Sequence, residues 1–265
     1  MNNSVDDPLF GIIPERMTLA NAPIAYVIAQ VQFPSIMRIR DDSYIVEFQD
    51  RIRKVYPFVE RIEAVPLPIP GSAPEISGTE VHWNFSSVDK KWRVVLAANA
   101  ITLETKDYNG HIDFIKRFGF ILNALADTVQ PTVMIRIGYR YINRLQSPED
   151  LSNIQILVRE NLIGLADAKI RENVVQSVAQ STCRTKEGGI VVHWGILPPN
   201  TAMSDLMDRL DTNSWILDID AFTQPEQAEE FIVDKALTSL NYLSDRAYAF
   251  FRWAITKEFL KRFGG

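Results

Sequence analysis

The order strand, helix, strands, helix occurs twice along the 265-residue chain, and this order constrains the fold more than any other feature. In the first half, residues 24–33 (IAYVIAQVQF) are apolar, β-branched and nearly alternating, which predicts a strand ended by Pro34. Apolar spacings of three and four predict a helix from Asp42 to Val55 and a longer one over 114–129. The segments between them predict further strands over 58–65, 81–86, 92–98 and 101–106, with a Pro/Gly-rich loop at 66–78.

The second half follows the same order. Four segments predict strands, and residues 225–263 predict one long helix with an apolar seam; the strands are 132–144, 172–184, 189–197 and 214–222. Val81-His82-Trp83 recurs as Val192-His193-Trp194, which favours divergent duplication over independent elements in a similar order. We predict an α+β fold with two similar halves, residues 1–130 and 131–265, in one compact unit. Its antiparallel-rich curved sheet carries helices on one face, a polar open face on the other and a long C-terminal helix.

Composition and charge exclude several classes of protein. The chain has 28 Lys plus Arg against 33 Asp plus Glu, a net charge of -5, which argues against the broad positive field of a nucleic-acid-binding protein. One cysteine cannot form an internal disulfide. The N-terminus has no secretory signal, and no apolar run approaches the roughly 18 to 20 residues of a membrane span. We expect a soluble, cytoplasmic protein without a membrane partner.

Polar residues collect on one predicted face of the sheet. Strand periodicity places Arg136, Arg140 and Arg144 on the same side of their strand. Neighbouring strands add the remaining candidate ligand-binding residues: Gln176, Gln180, Arg184, Asp218 and Asp220. In this interpretation the arginines hold an anionic group, the glutamines supply hydrogen bonds and the aspartates orient the arginines. The alternative is a solvated face on which Arg136 or Arg140 pairs with Asp218 or Asp220 across the strands.

Signals for an enzyme are weak. The sequence has no Gly-x-Gly-x-x-Gly, phosphate-loop, Gly-x-Ser-x-Gly or His-Glu-x-x-His motif. His82 and His193 fit partly buried polar residues beside tryptophans better than a base or a metal pair, and Cys183 fits a packed side chain. We therefore predict no catalytic residues, no metal site and no cofactor. The apolar stripe of the long C-terminal helix has enough surface to form a homodimer, although such stripes also cover their own sheet.

Several strings resemble a sporadically distributed prokaryotic family of unknown function. They are Leu19-Ala20-Asn21-Ala22-Pro23-Ile24, Trp92 with its hairpin, Tyr108 ahead of Phe114, and Arg136-Ile137-Gly138-Tyr139-Arg140-Tyr141-Ile142-Asn143-Arg144. The resemblance covers much of the first 145 residues and implies no catalytic residues. It directs attention to the arginine strand.

These observations favour a non-enzymatic binding or interaction module that uses its Arg-rich sheet face to bind an anionic ligand or a protein partner. Two alternatives stay open. One is an enzyme acting on a phosphorylated or nucleotide substrate, with the arginines clamping phosphate. The other is a protein that binds single-stranded nucleic acid by stacking bases on the arginines.

Overall fold

The computed structural model describes residues 8–64, 80–167, 170, 173–224 and 228–265, so the predicted loop at 66–78 lies outside the described residues. The strands are β1 (Ile24–Gln32), β2 (Phe58–Ala64), β3 (Glu80–Ser86), β4 (Trp92–Ala97), β5 (Ala100–Thr105), β6 (Val133–Met134), β7 (Arg136–Leu145), β8 (Ser177–Arg184), β9 (Gly188–Leu197), β10 (Ser214–Thr223) and β11 (Glu229–Glu230). The α-helices are α1 (Asp42–Ile52), α2 (His111–Thr128), α3 (Pro148–Ser152), α4 (Ile154–Leu157), α5 (Val233–Ala254) and α6 (Lys257–Arg262).

Nine strands form one antiparallel sheet in the order β2-β3-β4-β5-β1-β7-β10-β9-β8. The first strands of the two halves, β1 and β7, lie side by side at its centre, with Ile28 opposite Arg140 and Gln30 opposite Gly138. Each half extends outward from this pair. The predicted α+β fold with a large antiparallel sheet is confirmed, whereas the duplication stays a prediction.

Helices α1, α2 and α5 cover one face of the sheet, which we call the helix face. Aromatic contacts join the two layers: the ring of Phe114 on α2 lies 5.8 Å from that of Trp92 and 5.4 Å from that of Tyr139. On α1, Phe48 contacts Phe85 of β3 at 5.5 Å. All five side chains are buried, so apolar area removed from water holds the helices on the sheet.

The opposite face, which we call the polar face, is not fully open. The β9–β10 loop (residues 198–213) crosses its centre, where Met207 packs against Tyr26 and Ile142. Arg93 holds this loop through two hydrogen bonds to Asp205, at 2.7 and 2.6 Å. Those bonds from Arg93 lower the pKa of Asp205 to about 2. The expectation of a wholly open polar face is therefore corrected: a loop anchored by apolar and ionic contacts covers its middle.

The strand predicted over 132–144 is interrupted. Val133 and Met134 pair with β11 instead of joining the large sheet, and Ile135, 42% exposed, separates them from β7. Alternation continues through the break, which is why periodicity did not reveal it.

The helix predicted over 225–263 also breaks. Ile255 is extended (φ -102°, ψ 158°) and forms a β-bridge with Val158, and Thr256 then caps α6 through a bond from the Phe259 N–H. Residues 225–227 lie outside the described residues, and α5 itself begins at Val233. The C-terminal part is therefore a 22-residue helix and a short second helix. None of the helices among the described residues is both long and apolar enough to cross a bilayer.

The strand predicted over 172–184 begins only at Ser177, and residues 171–172 lie outside the described residues. Because Gln176, Gln180 and Arg184 alternate along this strand on the polar face, the sequence predicts an apolar side toward the helices. That expectation is wrong, because this edge strand presents Ser177, Ala179, Ser181 and Cys183 there, of which only Cys183 packs on the core.

Candidate functional site

The predicted polar cluster is partly assembled on the polar face. Arg140 holds Asp218 with both ends of its guanidinium group, Nε to Oδ1 at 2.7 Å and Nη2 to Oδ2 at 2.6 Å. The Asp218 side chain is 1% exposed. His193 adds to the cluster, with Nδ1 3.2 Å from Asp218 Oδ2 and Nε2 3.1 Å from Gln180 Oε1. The structure thus brings Arg140, Asp218 and Gln180 together around a histidine.

Arg136 forms a second, looser pair with Asp220 at 3.2 Å, and its guanidinium carbon lies 4.8 Å from the centre of the Phe222 ring. Burial raises the pKa of Asp220, while Arg136 and Arg140 oppose that rise. The charges of both arginines are therefore already matched by carboxylates, which is the cross-strand pairing that the sequence left as an alternative. An anionic ligand on this face would have to compete with Asp218 and Asp220.

The other three predicted residues lie elsewhere. Arg144 is buried, and its hydrogen bonds go to Ser214 Oγ at 2.8 Å and to the carbonyl oxygens of Asp208 and Thr201 at 2.6 and 3.2 Å. It therefore anchors the β9–β10 loop. Gln176 precedes β8 and Arg184 ends it, both exposed.

A cavity of about 410 Å³ lies on the helix face. Its lining comes from four separate segments: the N-terminal stretch at 16–24, the start of α2, β7 and α5. The apolar lining residues are Met17, Leu19, Ala20, Ala22, Ile24 and Phe251, and the polar ones include Arg16, Tyr108, Asn109, His111, Tyr141, Asn143 and Tyr248. Small-molecule sites in proteins have volumes of about 300 to 1,000 Å³ and the same mixture of apolar walls and few polar groups.

A continuous row of hydrogen bonds runs along one wall of this cavity. The Tyr108 hydroxyl lies 2.9 Å from that of Tyr141, which lies 3.0 Å from Ser244 Oγ. Ser244 Oγ lies 3.1 Å from His111 Nδ1, and His111 Nε2 lies 2.6 Å from Asn241 Oδ1. We call Tyr108, Tyr141, Ser244 and His111 the hydroxyl chain. In this way His111 of α2 and Ser244 of α5 are joined to Tyr108 and Tyr141, which line the cavity.

Local sequence places these groups. β7 alternation directs Tyr139, Tyr141 and Asn143 to the helix face, opposite to the arginines. Gly110 precedes α2 with φ 133°, a backbone conformation that favours glycine, so the chain turns sharply between Tyr108 and His111. On α5, residues 241, 244, 248 and 251 recur at helical spacing: Tyr248 and Phe251 line the cavity, and Asn241 and Ser244 bond to His111.

The N-terminal stretch forms the outer wall and is tied to two other parts of the chain. Arg16 Nη2 donates to Asp245 Oδ1 at 2.7 Å and to Ser244 Oγ at 2.9 Å, and the Met17 N–H donates to the Tyr248 hydroxyl at 2.7 Å. Further along, the N–H of Asn21 donates to the carbonyl oxygen of Phe263 at 3.0 Å. The wall is thus held by α5 and by the segment that follows α6.

The polar end of the cavity has little net charge. Asp245 balances the Arg16 guanidinium group. Burial, with the nearby positive charge of Arg16, lowers the pKa of His111, so its imidazole is neutral near pH 7. Burial also raises the pKa of Tyr108, which keeps its hydroxyl protonated. The arrangement therefore offers neutral hydrogen-bonding groups to a bound molecule.

Three of the four strings that carry the resemblance to a family of unknown function contribute residues to the cavity lining, namely 19–24, Tyr108 and 136–144, whereas Trp92 and its hairpin do not. Comparison of the chain with protein-family models, curated proteins and solved structures finds no match. The resemblance therefore stays a prediction. Within the described ranges, no group of three or more His, Cys, Asp and Glu side chains is placed to hold a metal ion.

Proposed function

We propose that this protein is a binding module whose ligand is a small organic molecule held in the helix-face cavity. The observation that carries the proposal is the combination of a 410 Å³ cavity with the buried hydroxyl chain along one wall. Five lining residues have rings, namely Tyr108, His111, Tyr141, Tyr248 and Phe251, which suit a flat apolar ligand body. The polar face supports this function less well, because Arg136 and Arg140 are already paired with Asp220 and Asp218.

A thermal-shift screen tests the proposal. The compounds are small aromatic and aliphatic molecules, together with nucleotides, sugar phosphates and short oligonucleotides that represent the anionic ligands expected for the polar face. A compound at 100 times its Kd stabilises the native state by about 2.7 kcal/mol. For a chain of this size that stabilisation raises Tm by about 5 °C or more.

Two variants locate the ligand. Ala22→Trp places an indole at the cavity wall and should abolish the shift by filling the ligand volume. Arg136→Gln is the matched control on the polar face and should leave the shift unchanged, because Arg136 lies on the opposite side of the sheet. A shift that survives Ala22→Trp but disappears in Arg136→Gln would move the site to the polar face and contradict the proposal.

A further inference from the structure

The hydrogen bonds of the hydroxyl chain run in one direction from donor to acceptor. Asn241, which bonds to His111 at one end of the chain, sets that direction. The Asn241 side-chain N–H donates to the carbonyl oxygen of Leu237, one turn earlier in α5, at 2.9 Å. The other amide atom, Oδ1, therefore faces His111 Nε2 at 2.6 Å. An amide oxygen only accepts hydrogen bonds, so Nε2 carries the imidazole proton.

The next two bonds follow from a count of protons. A neutral imidazole has one proton, so Nδ1 of His111 accepts from the Ser244 hydroxyl. Burial of His111 and the positive charge of Arg16 both favour this neutral form. Ser244 has thereby donated its only hydroxyl proton, and its oxygen accepts from Arg16 Nη2 and from the Tyr141 hydroxyl.

The same count of hydroxyl protons fixes the direction of the bond between Tyr141 and Tyr108, two residues that line the cavity. The single hydroxyl proton of Tyr141 has two acceptors, Ser244 Oγ at 3.0 Å and the Tyr139 hydroxyl at 3.3 Å. Neither direction leaves a proton for Tyr108, so the Tyr141 oxygen accepts from the Tyr108 hydroxyl at 2.9 Å. The Tyr108 proton thus points along the chain and away from the cavity, and the Tyr108 oxygen keeps an acceptor lone pair.

We propose that the cavity selects uncharged aromatic molecules that donate a hydrogen bond, from a hydroxyl or a ring N–H, to the Tyr108 oxygen. This inference rests on the proposed function and names the class of ligand. The balanced pair of Arg16 and Asp245 supplies no net charge for an ion, and the rings around the cavity favour a flat body. A ligand ether or carbonyl oxygen at this point would meet the Tyr108 oxygen without a proton between them.

Isothermal titration calorimetry with matched compounds tests this selection. The pairs are 2-naphthol with 2-methoxynaphthalene and indole with 1-methylindole, where each second compound lacks the donor. Replacing Tyr108 by Phe removes the acceptor with little change of shape. In the wild type the affinity ratio of donor to methylated compound should exceed that in Tyr108→Phe by about three- to tenfold, the effect of one neutral hydrogen bond.

The double variant Ser244→Ala/Tyr139→Phe supplies a second test. Without Ser244 Oγ and the Tyr139 hydroxyl, which both accept from Tyr141, the Tyr141 proton can turn to Tyr108, and the Tyr108 proton can turn to the cavity. The methylated compounds should then gain affinity relative to the wild type. Circular dichroism checks that both variants retain the native fold.

Three results would overturn the inference. They are equal affinity ratios in wild type and Tyr108→Phe, unchanged binding of methylated compounds by a folded Ser244→Ala/Tyr139→Phe variant, and failure of every aromatic probe to bind. The first two leave the proposed function intact if the probes still bind and Ala22→Trp prevents their binding. The third, with other compounds in the screen blocked by Ala22→Trp, also contradicts only the ligand class.

Discussion

Arg140 binds both carboxylate oxygens of Asp218, and the Asp218 side chain has 1% of its surface exposed. The neighbouring pair of Arg136 and Asp220 has a single 3.2 Å contact, with side chains 28% and 30% exposed. Two arginines on one strand thus hold carboxylates in different environments. Their different burial predicts different contributions to the free energy of unfolding.

Arg140→Ala should lower the free energy of unfolding by about 3 kcal/mol, because the substitution leaves the buried Asp218 carboxylate without its bidentate partner, with His193 still beside it. Arg136→Ala, the matched control, should lower it by about 1 kcal/mol or less. Urea unfolding followed by circular dichroism measures both. Equal losses of unfolding free energy in the two variants would show that the burial of Asp218 does not increase the cost of removing its arginine.

The pKa of His111 is lowered in the folded protein by burial and by Arg16, so the unfolded chain binds its proton at a higher pH. Stability contributed by this group is present above the unfolded pKa of about 6.5 and is lost as pH falls through the folded value. His111→Gln cannot titrate. Between pH 7.5 and pH 5, wild type should therefore lose more unfolding free energy than His111→Gln. The same loss in both proteins would contradict the prediction.

Tyr141→Phe removes the hydroxyl that lies between Tyr108 and Ser244 in a buried place. It should lower the free energy of unfolding by about 1 to 3 kcal/mol, because three neighbouring hydroxyl groups, those of Tyr108, Tyr139 and Ser244, lose a partner. The control is Tyr242→Phe on α5. The Tyr242 side chain is 57% exposed, so the free energy of unfolding should change by no more than about 0.5 kcal/mol. Thermal unfolding of the three proteins compares them, and similar effects of the two substitutions would contradict the buried network.

Met207→Ala should loosen the β9–β10 loop, because Met207 is its main apolar contact with Tyr26 and Ile142. Truncation of a buried methionine costs about 2 to 5 kcal/mol, so amide exchange within residues 198–213 should accelerate more than tenfold. Exchange in β1 and β7 should change much less. Met37→Ala, at a 60% exposed side chain, is the control and should leave the loop unchanged. Uniform acceleration across the sheet would show that the loop does not open independently.

Periodicity predicted the strands well where one face of the sheet is buried. In β7 the arginines predicted to share one side of the strand do lie on the polar face, with Tyr139 and Tyr141 on the helix face, since a half-buried strand must alternate. The interruptions at Ile135 and Ile255 were missed because apolar spacing continues through both residues. Each break depends on a partner strand or bridge that is distant in the chain, which local spacing does not contain.

Strand alternation predicted which side of the sheet carries Arg136, Arg140, Asp218 and Asp220, but it predicted neither their pairing nor the loop that covers the middle of that face. Strand parity correctly put Arg140 and Asp218 on one face, whereas their bidentate pairing depends on the register of β7 against β10. The cavity was missed for a similar reason. Arg16, Tyr108 and Ser244 each look like an ordinary surface or core residue in their own segment, and only the fold brings them together.

Arg16 and Asp245 are separated by 229 positions along the chain. Hairpins such as β4–β5 can pair early in folding, but closing so long a segment is entropically slow and must precede the completed cavity wall. During refolding, the circular-dichroism signal of the β-sheet should therefore appear before ligand binding can be detected. A pool of newly made chains would then contain members whose sheet has formed but whose cavity still lacks its outer wall, and those members would not retain a ligand.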